Sequence, residues 1–469
     1  MRIKTLPSAL LQEDGRRLDC GPYMSGALEA RVILNRLSAE KESLRAVTRD
    51  GLSGIFNGPR FARSYTTEAR DSVPFLGSTD ILMSDLSSVP RLAKRQVEGA
   101  PNLVLGEGWS LITCSGTVGR MAFSRSDMVG MAGSQHFMRV IADRNRIPAG
   151  YLHAYLRSKF GVPLIVSGTY GAIIQHIEPH HIADLPVPRL GKLVESRADE
   201  LVVESANLLA RYQADVNSAT KRLFESVGLV DITAADWHLM GRDTEFSVRK
   251  PSTDSLRALN FAPRYHQLLA RLRKATHKPL GEICIPGTLR SGGRFKRIDA
   301  EPEFSYRLVG QKEIFWVRPE GRWIAKSTVG STVLVPRGTV MIAAQGTLGE
   351  SELYCRAEFI WGRAEENAYS QHFVRAIADE GVMPRGCLFA FLRSETAFRM
   401  LRSISIGTKL QDLHPKFRAQ LPVPYPPRDV QQEIHDLVAG AYESRDKAVG
   451  LEEYAVTLVE DAIEKGARN

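Results

Sequence analysis

The sequence predicts an α+β fold built twice. Three observations carry that prediction: a ten-residue phrase that returns 236 positions later, short Gly-punctuated runs of alternating apolar and small residues in both halves, and a heptad-like apolar stripe closing each half. Ser134–Asp143 reads SQHFMRVIAD and Ser370–Asp379 reads SQHFVRAIAD, identical at eight of ten positions. The same shift carries Tyr155-Leu156-Arg157-Ser158 onto Phe391-Leu392-Arg393-Ser394, Gln175 onto Gln411, and Leu185-Pro186-Val187-Pro188 onto Leu421-Pro422-Val423-Pro424. Upstream, Ser115-Gly116-Thr117-Val118-Gly119 answers to Gln345-Gly346-Thr347-Leu348-Gly349 at a shift of 230, so a six-residue insertion separates the copies between these landmarks. Solenoid repeats run to roughly 20–50 residues, so a unit this long is a whole domain.

Each copy opens on helical spacing, Leu28 to Val47 in the first and Tyr265 to Ala275 in the second. Strand-like runs follow at Leu111–Cys114, Phe137–Ile141, Thr332–Val335, Thr339–Ala343 and Phe373–Ile377. A compact helix with Tyr151, Leu152, Tyr155 and Leu156 is mirrored by Cys387, Leu388, Phe391 and Leu392. After each Leu-Pro-Val-Pro the period lengthens. Val194, Ala198, Leu201, Leu208, Tyr212, Val216, Ala219 and Leu223 form one seam; Ile434, Leu437, Ala441, Ala448, Leu451, Ala455, Leu458 and Ala462 form the other, interrupted at Ser444 or Arg445. Both segments read as long helices that need a partner helix. The expected division is therefore 1–188, a first domain; 189–228, its helix; 229–424, an irregular connector and second domain; and 425–469, the second helix.

Charge along the chain is uneven. The net +9 conceals helices that balance six basic against six acidic residues (189–228) or carry ten acidic against five basic (425–469), which leaves an excess of 14 positive charges in the two repeated units. That asymmetry favours a polyanionic partner, since phosphate neutralisation with counterion release dominates non-specific nucleic-acid affinity. A merely basic, solubilising surface would carry the same charge. The start of the chain lacks a signal-peptide pattern and no run of 18 apolar residues occurs, so the expectation is a soluble cytoplasmic protein without membrane partners. Five scattered cysteines without a CxxC pair argue against disulfides and structural zinc.

Two unlike α+β units, each followed by a long amphipathic helix, with Gly-Thr-Val-Gly, Ser-Gln-His-Phe and a Gly171–Pro188 passage recurring in order, resemble the specificity subunit of type I restriction-modification enzymes. The resemblance covers nearly the whole chain. It implies two target-recognition domains, each reading one half of a split DNA site. It also implies an antiparallel coiled coil of the two helices, which relates the units by a pseudo-two-fold axis and holds them apart like a ruler. Such a subunit is not itself an enzyme. The resemblance implies that it recruits two adenine methyltransferase subunits, which carry the S-adenosylmethionine, and that endonuclease/translocase subunits join the complex in phage defence. Unlike domains should read an asymmetric site.

Positions kept in both copies cannot encode two sequences, so Gly116, Thr117, Gly119, Gln135, His136 and Gln175, with Gly346, Thr347, Gly349, Gln371, His372 and Gln411, should serve the fold or the DNA backbone. Gly-Thr-x-Gly can present N–H groups to a phosphate, with Arg120 behind it, but a tight turn between strands is the favoured reading. Base reading is expected where the copies diverge: Asn57, Arg60, Arg63, Ser64 and Tyr65 in one loop, Arg290, Ser291, Arg294, Lys296 and Arg297 in the matching loop of the other copy, with Tyr170 and Lys409. For each, a solvated surface loop is the competing reading. The chain lacks the Asp/Asn-Pro-Pro-aromatic tetrad of amino-methyl transfer, since Tyr425-Pro426-Pro427-Arg428 has neither end of it, and it lacks a phosphate-binding glycine loop. His180-His181 has no third ligand at a useful spacing, so no metal is expected. A self-contained DNA-processing enzyme and a protein- or RNA-binding scaffold stay as alternatives.

Overall fold

A computed structural model describes residues 3–5, 20–169, 175–249, 251 and 254–468. In the first unit an antiparallel sheet runs in the order Ile55–Asn57, Phe137–Val140, Ser110–Thr113, Met121–Phe123. In the second the order is Arg290–Ser291, Phe373–Ala376, Val340–Ala343, Ala357–Phe359. A three-stranded sheet (Arg91–Ala93, Ser72–Leu76, Ala132–Gly133) likewise has its twin in Arg322–Ala325, Ser305–Val309 and Ala368–Tyr369, each with one antiparallel and one parallel neighbour. The Leu-Pro-Val-Pro segments are short edge strands in both units: Pro186–Pro188 pairs with Lys41–Ser43, and Pro422–Pro424 with His277–Pro279. Proline lacks an N–H donor, so an edge is where a sheet tolerates it.

The repeat phrase earns its recurrence in packing. Ser134 and Phe137 are fully buried, and the Arg139 guanidinium donates to the carbonyls of Ser134 (2.8 Å), Phe137 (2.9 Å) and Gly133 (2.7 Å), which pins the chain where it enters the central strand. Two glycines shared by the copies answer a close approach. A Cβ on Gly150 would sit 2.9 Å from the Asp199 backbone, and one on Gly386 would sit 3.0 Å from the His435 backbone. At both points the inner helix touches a long helix, and its N–H donates across the contact, Gly150 to Asp199 Oδ1 at 2.6 Å and Gly386 to His435 Nδ1 at 3.0 Å.

The long helices span Lys192–Ser226 and Arg428–Arg468. At 1.5 Å per residue they reach about 50 and about 60 Å. Their contacts pair rising with falling numbers: Ser205 Oγ with the Ala448 carbonyl (2.7 Å), Tyr212 with Tyr442 (3.4 Å), Arg222 with Glu433 (3.0 Å). They are therefore antiparallel, and each is shared between units. Ala198, Leu201 and Val202 enter the first core with Ala455, Val459 and Ile463, while Val216, Ala219 and Leu223 enter the second with Ile434, Val438 and Ala441. The second helix is unbroken at Ser444 and Arg445; Arg445 turns inward to Glu358 (3.1 Å).

Three local expectations are corrected. The opening helix spans only Ala27–Arg36, because Leu37 turns to extended geometry and Lys41–Ser43 is taken up by the Pro186–Pro188 edge. The run at Thr332–Val335 is a 3-10 turn over Ser331–Val333 leading into extended chain, not a strand. The third concerns spacing. The units are not held apart by the helices alone, for they meet directly, and one core is built from both: Leu76, Ile81, Met83, Leu86 and Phe137 pack with Val309, Ile314, Phe315, Trp316 and Phe373. No helix among the described residues is long and apolar enough to cross a membrane.

Candidate nucleic-acid interface

Each unit gathers its repeated loops at one end of its four-stranded sheet. In the first, Gly116 N–H donates to the Gln175 carbonyl (3.0 Å), Cys114 N–H to the His136 carbonyl (3.1 Å), and Arg63 to Gln135 Oε1 (3.0 Å). In the second, Gln411 N–H donates to the Gly346 carbonyl (2.8 Å), Ala344 N–H to the His372 carbonyl (2.9 Å), and His372 meets Gln345. The two histidines occupy equivalent ground. Partial burial depresses the His136 pKa, helped by Arg63, His176 and Arg60; partial burial depresses that of His372, helped by Arg297 and Arg294. Both imidazoles thus sit beside two arginines of the same loop.

The two loops that correspond in sequence also match residue by residue. Gly58-Pro59-Arg60-Phe61-Ala62-Arg63 answers to Gly292-Gly293-Arg294-Phe295-Lys296-Arg297 at a shift of 234. The phenylalanines anchor the loops, Phe61 edge-on to Phe75 (6.4 Å between ring centres) and Phe295 against the Leu308 and Ile324 cluster. The glycines admit arginine side chains: a Cβ at Gly58 would meet the buried Arg139 at 3.0 Å, and one at Gly292 would meet the half-buried Arg375 at 2.7 Å. Arg60 and Arg63 thus correspond to Arg294 and Arg297. Among residues expected to diverge, these four are shared.

The remaining candidates are placed as follows. Arg60, Ser64, Tyr65, Thr117, Gln175, Arg290, Ser291, Arg294, Lys296, Arg297, Thr347 and Lys409 are exposed. Asn57 is half-buried and donates to Glu178 (3.1 Å); Arg63 lies 5.0 Å over the Phe75 ring. Tyr170 lies outside the described residues. Two candidates are corrected. Gln411 is buried and spends its side chain on the Thr408 carbonyl, closing a hairpin. Arg120 is not presented to solvent with the loops: it pairs through two nitrogens with Glu320 (2.8 Å and 2.5 Å) and lies 4.6 Å over Trp316, so it ties one unit to the other. His180-His181 forms a short helix cap, with His181 Nδ1 accepting the Glu178 N–H.

Fold and faces together define a two-headed, pseudo-symmetric scaffold with one basic loop cluster per head. No family model and no curated protein matches the chain. It is similar to two solved structures: the type I restriction-modification system S subunit from M. genitalium, 13% identical over 92% of this chain and 96% of that one (TM-score 0.37), and the HsdS subunit from Thermoanaerobacter tengcongensis, 12% identical over 91% and 96% (TM-score 0.26). Overlays this loose carry no argument, and the architecture stands on the chain's own geometry.

Proposed function

We propose that this chain is the DNA-reading specificity subunit of a type I restriction-modification or related defence complex, that it recognises an asymmetric bipartite site, and that it recruits adenine methyltransferase and endonuclease subunits without catalysing a reaction itself. One observation carries the reading: two equivalent loop clusters, alike in their phosphate-seeking arginines and unlike in the residues between them, are set in opposite senses by an antiparallel helix pair. Opposed heads on one duplex read two half-sites in opposite orientation.

The shared arginines divide the labour. Arg60, Arg63, Arg294 and Arg297 hold phosphates, because a residue common to both heads carries no information about which half-site is read. The exposed groups that differ select bases: Asn57, Ser64 and Tyr65 in one head, Arg290, Ser291, Lys296 and Lys409 in the other. Thr117 and Thr347 cap the same faces. Co-expression with a candidate adenine methyltransferase subunit from the same genome, followed by genome-wide mapping of methylated adenine, tests the proposal. A split motif with unlike halves is expected; no motif, or an uninterrupted palindrome, overturns it.

A further inference from the structure

The seam between the heads is two-fold symmetric in its backbone. Leu76-Gly77 and Val309-Gly310 are followed at equal distance by Asp80-Ile81-Leu82-Met83 and Glu313-Ile314-Phe315-Trp316, a repeat at a shift of 233. Met83 and Trp316, equivalent residues, face each other in an antiparallel bridge. Ser84 N–H donates to the Phe315 carbonyl (2.9 Å) and Val317 N–H to the Leu82 carbonyl (2.8 Å), two bonds that exchange under the same rotation. The axis therefore passes between Met83 and Trp316, both almost wholly buried at 8% and 3% exposure.

An ionic lock flanks the axis on each side. Arg393 of the second head grips Asp85 of the first (2.6 Å and 3.1 Å) while Gln213 of the first long helix donates to the same carboxylate (3.0 Å). Arg393 corresponds to Arg157, which pairs with Glu452 of the second long helix; Arg318 of the second head closes on the other oxygen of Glu452 (2.7 Å). Each lock thus joins a long helix to both heads.

We infer that this seam, acting with the paired helices, restricts the two half-sites to a single distance, with Met83, Trp316, Asp85, Arg393, Arg318 and Glu452 as positioning residues. The inference rests on the proposed reading of split DNA sites. Its physical reason is that the helices fix where each head sits along the pair, and a shared core with two bridging hydrogen bonds and two partly buried ion pairs removes the remaining freedom of one head against the other. A rigid seam gives one spacing; a loosened one gives several.

The test uses the full chain in complex with its methyltransferase. Trp316→Ala empties the centre of the seam, and Asp85→Asn, a near-isosteric change, weakens one lock; circular dichroism establishes that each is folded, and Asp85→Asn serves if Trp316→Ala is not. Mapping of methylated adenine should show the single parental spacing spreading to two or more adjacent values, with the parental share falling by at least half. A second readout does not need the DNA reading to be right: spin labels at Arg70→Cys and Glu303→Cys, in a Cys20→Ser background, should give one narrow distance in the parent and a broadened one in each variant. A folded variant with the parental spacing and an unchanged distance distribution overturns the inference. If the parent methylates no split site, the functional proposal fails, and the spin-label distances alone decide the seam.

Discussion

Replacing Glu452 by glutamine should cost more stability than its exchange of one oxygen for one nitrogen suggests. The carboxylate is 5% exposed, receives Arg157 and Arg318, whose side chains are 22% and 24% exposed, and accepts from His153 at 3.3 Å. Burial pushes the Glu452 carboxyl upward, but Arg318 and Arg157 outweigh it, with His153 assisting, and hold it well below the usual carboxylate range. Glutamine would leave two guanidiniums facing each other with no negative charge. Breaking a buried pair by removing one partner costs about 3–5 kcal/mol, and the partial exposure of the arginines places this case near the lower end, about 3 kcal/mol. At about 2.1 cal/mol/K per residue, a chain of 469 residues unfolding as one unit has an unfolding entropy of about 1 kcal/mol/K, so the melting temperature should fall by about 3 °C. A carboxyl whose folded pKa is depressed contributes stability that is fully present above its unfolded pKa, about 4.3, and is lost as pH falls through the folded value. Scanning calorimetry should therefore show the gap between parent and Glu452→Gln whole at pH 7 and shrinking only below about pH 4. A gap under 1 °C at pH 7, or one already gone at pH 5.5, would refute the reasoning.

Removing Arg294 and Arg297 together should lower the slope of log affinity against log salt by about 1.8 for duplex DNA, at about 0.9 per lost phosphate contact, while the half-site sequence is kept; an unchanged slope in a salt series would place them away from DNA. Exchanging residues 57–65 for a relative's loop should alter one half of the methylated motif and leave the other half and the spacing untouched, as read by methylation mapping. Gly150→Ala should destabilise by about 1–3 kcal/mol, because its methyl group would overlap the Asp199 backbone where neither helix can retreat; urea unfolding that matches the parent would show that the contact yields.

Both heads were legible wherever the copies kept one register. The Ser-Gln-His-Phe phrase, the inner helices and the Leu-Pro-Val-Pro edges all hold a shift of 236, and each pair lands on equivalent elements. The Gly-x-Arg-Phe-x-Arg loops were legible as a corresponding pair but not residue by residue, and the seam segments not at all, because their shifts are 234 and 233, part of a drift toward 230 that the six-residue insertion then restores. A gapless comparison loses a repeat that slips by two or three residues. The seam was hidden for a further reason: Met83 against Trp316 and Asp85 against Arg393 join residues 233 and 308 positions apart, and no local period signals such a pairing. Arg120 misled because an arginine beside a glycine turn looks the same in sequence whether its partner is a phosphate or Glu320.

The symmetric contacts at the seam are made by backbone, and the asymmetric ones by side chains. Ser84 to Phe315 and Val317 to Leu82 are peptide hydrogen bonds, indifferent to what each residue carries, whereas Met83 faces Trp316 and the position of Asp85 is held by Arg318 in the other head. The same division recurs at the loops, where Gly58 and Gly292 make room for Arg139 and Arg375 and Phe61 and Phe295 anchor the chain, while Asn57 and Ser291, or Ala62 and Lys296, differ. Register in a sheet is specified by backbone pairing and by the buried face, so exposed side chains change at little cost to placement. A duplicated chain built this way can diverge in what each head touches without moving one head against the other, because the backbone bonds between the heads are kept whatever side chains flank them.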